Sequence, residues 1–167
     1  MMQLVVHLEV LLEVYSNKDI IIITNSNYMD LSEIVKAAEN DNNSHILNLS
    51  TVKIHKMKNN ILNEIQLSKV EKMEMMKKLK KYRYVDQMNE LKQGGYIRWI
   101  NIKEPDNLFL TNGAIFCDFR INDSGVMIIY KNFYGKTYEF KMEESIIFQK
   151  LSYQEEVLLK VMDKLNG

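Results

Sequence analysis

The chain has 167 residues, 46% of them hydrophobic and 26% charged, with 22 Lys and Arg balanced against 22 Asp and Glu. Such a length makes one domain or two small ones, large enough to bury a core without disulfides or metal. The even charge excludes attraction of the whole molecule to nucleic acid or anionic membrane, though not a local basic patch. Cys117 is the one cysteine, so no intramolecular disulfide forms and a reducing, intracellular compartment is expected. Met1 to Tyr15 lacks a basic start, and Glu9 and Glu13 interrupt its apolar run, which argues against a signal peptide. No apolar stretch is long enough to predict a membrane-spanning helix. The bias toward Lys, Asn and Ile, with Pro105 the one proline, is that of an AT-rich genome.

Gln3 to Tyr15 carries Leu4, Leu8, Leu11, Leu12 and Tyr15 at helical spacing, against a β-branched set, Val5, Val6, Val10 and Val14; its length favours a helix. The isoleucine run within Asp19 to Thr24 reads as a strand buried on both faces. Asp30 and Glu33 have a variant of capping-box spacing ahead of a short helix from Leu31 to Asn40. His45 to Met57 reads as one or two short strands, Asn59-Asn60 as a turn, and Ile61 to Leu67 as another strand. Ser68 and Glu71 form a capping box that opens a helix from Lys69 to about Arg83. A second helical segment, Val85 to Leu91, ends at Gly94-Gly95.

Five short strands are then expected, near Tyr96–Ile102, Ala114–Ile121, Val126–Lys131, Thr137–Met142 and Ile146–Leu151. Ile115, Cys117, Phe119 and Ile121 would share one face of the second. Tyr138, Phe140 and Met142 would share a face of the fourth. Asn122 to Gly125 and Asn132 to Lys136 have hairpin-loop chemistry. Ser152 and Glu155 cap a final helix with Val157, Leu158, Val161, Met162 and Leu165 in its stripe.

The predicted fold is therefore α+β: a small α+β region at 1–67, connecting basic helices at 68–94, and at 95–167 a five-stranded antiparallel SH3- or Tudor-like barrel with a C-terminal helix. A five-stranded OB-like barrel is the alternative.

Three runs carry a resemblance: KLKKYRYVDQMNELKQGGYIRWINI (Lys78 to Ile102), LTNGAIFCDFRI (Leu110 to Ile121) and SIIFQKLSYQEEVLL (Ser145 to Leu159). Together they resemble a group of small uncharacterised proteins of AT-rich giant DNA viruses of protists, the mimivirus-like viruses. The resemblance covers roughly the C-terminal half. It implies a viral protein acting in host cytoplasm, in a viral factory or in the virion, and it brings no catalytic residue with it.

Chemistry-bearing patterns are sparse. Cys117 falls on the apolar face of a predicted strand, whereas His7, His45 and His55 all lie in the other half, so buried packing is the better reading than a thiol nucleophile. No zinc, phosphate-loop or calcium-loop spacing is present. No enzyme, metal or cofactor is expected.

Two binding readings remain. Arg98, Trp99, Tyr130, Phe133, Tyr134 and Tyr138 would present an aromatic surface to another protein, with Phe133 and Tyr134 at a hairpin tip where burial is hard to arrange. Alternatively, Lys77, Lys80, Lys81 and Arg83 would line one side of a basic helix and hold the phosphates of RNA or DNA while the aromatics stack on bases.

Overall fold

A computed structural model of the protein describes residues 31–166. The expected Gln3–Tyr15 helix and Asp19–Thr24 strand lie outside the described residues. The described chain divides into two compact units, one formed by residues 31–51 with 152–166, the other by Val52–Leu151. The expected stretches 1–67, 68–94 and 95–167 cut across these units.

In the first unit, helix α1 (Leu31–Glu39) buries Ile34, Ala37 and Ala38, a spacing that brings all three to one face. A 3-10 helix follows over Asp41–Asn48, where Asn40 accepts a bond from the Asn42 amide. Its Asn43 is buried and donates both to the Ala37 carbonyl at 2.8 Å and to Gln154 Oε1 at 3.1 Å. The C-terminal helix (Tyr153–Asn166) packs against both of these elements. Its start is the expected capping box: the Ser152 amide donates to Glu155 Oε2 at 2.6 Å, and the Glu155 amide donates to Ser152 Oγ at 3.2 Å. Glu155, itself buried, also holds His45 Nε2 at 2.9 Å.

The second unit opens with helix α2 (Thr51–Asn63) and helix α3 (Lys69–Lys78). The strands expected within His45–Met57 and at Ile61–Leu67 are thus replaced by the 3-10 helix and α2, and Asn59-Asn60 is helix interior. The buried residues Ile54, Lys58 and Leu62 recur every four residues, a helical period. Ser68 caps α3 as expected, with Glu71 returning the bond.

The helix expected to reach Arg83 instead ends at Lys78. Strand β1 (Tyr82–Val85) starts four residues later, and the expected helical segment Val85–Leu91 contributes a single 3-10 turn, Met88–Glu90. Five further strands follow: β2 (Tyr96–Asn101), β3 (Ala114–Asn122), β4 (Gly125–Lys131), β5 (Thr137–Lys141) and β6 (Ser145–Lys150). The last helix is α4 in this numbering.

All six strands form one sheet in the order β1-β6-β2-β3-β4-β5, every neighbouring pair antiparallel. The sheet is open. A closed five-stranded barrel would join its two outermost strands, but here β1 takes the outer side of β6 and β5 ends the other margin.

The register assigns two faces. Tyr82, Ile100, Ile146 and Phe148 pack with Leu62, Met75 and Leu79 of the helical layer. On the opposite face Val85, Ile97, Phe116, Ile128 and Ile147 form a second core, joined by Trp99, Tyr130, Phe140 and Met142. β6 contributes to both cores, which is why its sequence is an apolar run rather than an alternation. Between Phe116 and Asp118 the β3–β4 register shifts by one residue. Cys117 is the extra residue of this bulge. The side chains sharing the Ile128 face are therefore Phe116, Phe119 and Ile121, and Ile115 turns to the other side, correcting the simple alternation expected for this strand.

Candidate binding surface

The second core continues outward as a row of rings. Cross-strand pairing sets Phe116 beside Tyr130 and Tyr130 beside Tyr138; in the next inward-facing row, Phe119, Ile128 and Phe140 line up. From β2, Trp99 reaches the same face and stacks on Phe140, centroids 4.5 Å apart and planes at 17°. Its ring is also 4.8 Å from that of Tyr130. Tyr130 and Tyr138 stack at 5.8 Å and 26°. Such offset contacts add to the stabilisation from burial. Burial, followed by the neighbouring Tyr138, pushes the Tyr130 hydroxyl above its ordinary pKa, so it remains a neutral donor.

Burial falls away along this row. Trp99, Tyr130 and Phe140 are half-buried, Tyr138 is 46% exposed, and Phe119 and Ile121 are exposed apolar neighbours on the same face. Phe119 and Ile121 escaped the sequence reading as surface residues; the signal that reveals them is their pairing with Ile128 and Val126 beyond the bulge.

Among the described residues the hairpin tip beside Tyr138 is the most exposed aromatic feature. Phe133 is 97% and Tyr134 83% exposed, the two rings meeting edge to face at 5.8 Å. The backbone beneath them is tied down. Asn132 Oδ1 accepts the amides of Tyr134 and Lys136, each at 3.0 Å, and the Gly135 amide donates to the Asn132 carbonyl. Gly135 has φ +74°, a conformation in which glycine carries no steric penalty. The rings are thus held out on a fixed loop, which lowers the ordering cost of engaging a partner.

Arg98 does not join Trp99. Successive strand residues point to opposite faces, and its guanidinium lies 5.7 Å from the centroid of the Tyr82 ring on the helical side of the sheet. The basic stripe is also broken. Lys77, Lys80 and Lys81 are exposed, but Arg83 is 2% exposed and cannot reach a phosphate. It donates to the Glu90 carbonyl and, at 3.1 Å, to Gln149 Oε1. Gln149 in turn accepts from the Lys92 amide at 2.9 Å and donates to the Lys92 carbonyl at 2.8 Å. Arg83 and Gln149 therefore fix the β1–β2 connection instead of binding a ligand.

Cys117 is half-buried at the bulge, its Sγ 3.6 Å from the Ile115 carbonyl. Among the described residues no three His, Cys, Asp or Glu side chains gather closely enough to hold a metal ion, and no helix is long and apolar enough to cross a membrane. Comparison with protein-family models, with curated proteins and with solved structures found no match.

Proposed function

We propose that the chain is a non-catalytic binding or adaptor protein that captures another protein through the aromatic face of its sheet and the adjoining hairpin tip. The observation that carries this reading is the near-complete exposure of Phe133 and Tyr134 on a loop whose backbone Asn132 holds in place. Two large rings in water, beside a ladder of partly covered ones, form the anchor type that dominates protein interfaces. Support also comes from topology. The order β6-β2-β3-β4-β5, with one 3-10 turn (Met142–Glu144) ahead of the last strand, resembles that of SH3-like small barrels, here carrying β1 as an added strand. Aromatic-lined grooves on that scaffold seat peptide segments; this support is an analogy of fold. The proposed setting is host cytoplasm, a viral factory or the virion, a reading supported by the resemblance of the C-terminal half to giant-virus proteins.

Nucleic acid as the ligand is less well supported. The exposed lysines lie in the last turn of α3 and just past it, and α3 packs on one face of the sheet while the ring ladder occupies the other, so phosphates and bases of one strand would have to reach both sides.

The test is a double substitution, Phe133→Ala with Tyr134→Ala, used as bait in affinity purification from infected cells. The expected result is an unchanged circular dichroism spectrum and loss of the co-purifying protein. Capture equal to that by the unaltered chain would overturn the assignment of this surface.

A further inference from the structure

We propose that two copies of this chain pair edge to edge through β5, extending the sheet across a two-fold axis. β5 ends the sheet order, so among the described residues one of its sides faces no strand. Which groups lie there follows from the hairpin. The Asn132 amide donates to the Lys136 carbonyl at 3.0 Å, and antiparallel pairs alternate between hydrogen-bonded and non-bonded rows. Two and four residues further on, Tyr138 and Phe140 therefore turn their backbone groups toward Tyr130 and Ile128, their partners in β4. Thr137, Glu139 and Lys141 turn theirs outward, and among the described residues no backbone group answers them.

A bare edge of this kind is a template for another strand. Lysine on an edge ordinarily repels a second copy, but here Glu139 precedes Lys141 by two residues and changes the outcome. A second β5 arriving antiparallel must set outward residues opposite outward residues. Placing Glu139 against its own counterpart opposes like charges, as does placing Lys141 against its own. Between those registers lies one in which Glu139 faces Lys141 of the second copy and Lys141 faces Glu139 of the second copy. Opposite charges directly across a strand pair are favourable. In that register Phe140 meets its own counterpart at the axis, on the aromatic face.

Glu139 is already held there, accepting two bonds from Arg120 Nη2 at 2.9 and 2.7 Å. A carboxylate has acceptor capacity for a further donor. Among the described residues Lys141 pairs with Glu144 at 3.9 Å, a loose pair. The self-complementary surface is isologous, as two-fold pairing requires, and it is short, so association is weak and concentration-dependent. This inference goes beyond capture of another protein and stands independently of Phe133 and Tyr134.

The experiment is sedimentation equilibrium of the full chain over a rising concentration series, with amide exchange followed in parallel. The expected result is a mass that doubles with concentration, with exchange slowing at Glu139 and Lys141, while Tyr138 and Phe140 are protected throughout. Glu139→Lys alone and Lys141→Glu alone should each remain at the single-chain mass, since each sets like charges opposite each other. An equimolar mixture of the two variants should regain the doubled mass, because each strand then carries one sign of charge and answers the other; a variant that had simply failed to fold would not be rescued. A single-chain mass at every concentration would overturn the proposal. So would a doubled mass that both substitutions leave unchanged, or protection of these amides that arises only when a different protein is added.

Discussion

Replacing Lys58 with methionine should remove a rise in stability on the alkaline side of neutrality. Lys58 lies in α2, is 3% exposed, and donates from Nζ to the Leu79 carbonyl at 2.6 Å, just past the end of α3. Burial pulls its ammonium down from 10.5 to about 8. Above that value the folded chain has shed the proton while the unfolded chain still carries it. The unfolded state then binds more protons, so stability grows with pH until the unfolded lysine titrates as well. From those two pKa values the gain is about 2–3 kcal/mol between roughly pH 7 and roughly pH 10. Tyr82, Tyr84 and Tyr130 act in the opposite sense above that window. Burial raises all three, Tyr84 to about 12, so the unfolded chain loses those protons first and stability falls. Subtracting the variant from the unaltered chain cancels the tyrosines. In Lys58→Met the desolvation cost disappears but the Leu79 carbonyl loses its donor, a penalty of about 1–3 kcal/mol, so the two proteins should differ little at neutral pH and diverge as pH rises. Urea unfolding at several pH values, followed by the fluorescence of Trp99, the chain's single tryptophan, reads the difference. Parallel stability profiles for the two proteins would refute the reasoning.

Four further outcomes are expected. Phe133→Ala with Tyr134→Ala should change unfolding free energy by no more than about 0.5 kcal/mol, because the rings touch little besides each other, while capture of the partner is lost in the affinity purification. The single charge reversals at Glu139 and Lys141 should abolish self-association and their mixture restore it, as read by sedimentation. Gln149→Ala should cost about 3 kcal/mol in chemical denaturation, since it strips the Lys92 backbone of two bonds and removes an acceptor from buried Arg83. Gly113→Ala should lower the melting temperature well beyond Gly135→Ala. Both glycines have positive φ, +99° and +74°, but a Cβ at 113 would lie 2.6 Å from the Ile97 carbonyl oxygen, whereas at 135 it would meet open space, leaving only the conformational penalty of about 1 kcal/mol.

Much of the sheet was legible because its strands state their own boundaries. The loops at Asn122–Gly125 and Asn132–Lys136 punctuate β3, β4 and β5, and Thr137–Lys141 alternates cleanly. Both capping boxes announced their helices, because a Ser and a Glu three residues apart satisfy backbone donors locally and need no tertiary help.

The failures share a different cause. Lys58 interrupts the apolar stripe of α2, so a helix whose inward row is Ile54, Lys58 and Leu62 looked like short strands around an Asn-Asn turn. A buried amine bonded to a carbonyl distant in sequence leaves no local trace. The α3–β1 boundary was hidden for a similar reason. Lys77 to Lys81 prolongs a helical-looking basic run, and Tyr82–Val85 becomes a strand because β6 supplies a partner about sixty residues later. The bulge at Cys117 was equally silent. Ala114 to Ile121 offers two apolar alternations, and only pairing with β4 selects Phe116 and Phe119 over Ile115 and Cys117. In the site itself, exposure at the hairpin tip could be read from the loop chemistry, while Arg83 changed from ligand-binding candidate to internal brace once it was placed in a strand.

Strand β6 has a consequence for how the chain comes together during synthesis. It sits between β1 and β2, yet it is the last of the described strands to be made, and the Arg83–Gln149 bond alone spans 66 residues. While the ribosome is still delivering residues up to Ser145, β1 lacks its one neighbour among the described strands and β2 lacks one of its two. Contacts this far apart in sequence slow folding, and the nascent chain has to keep two bare strands from wrong partners until β6 slots between them.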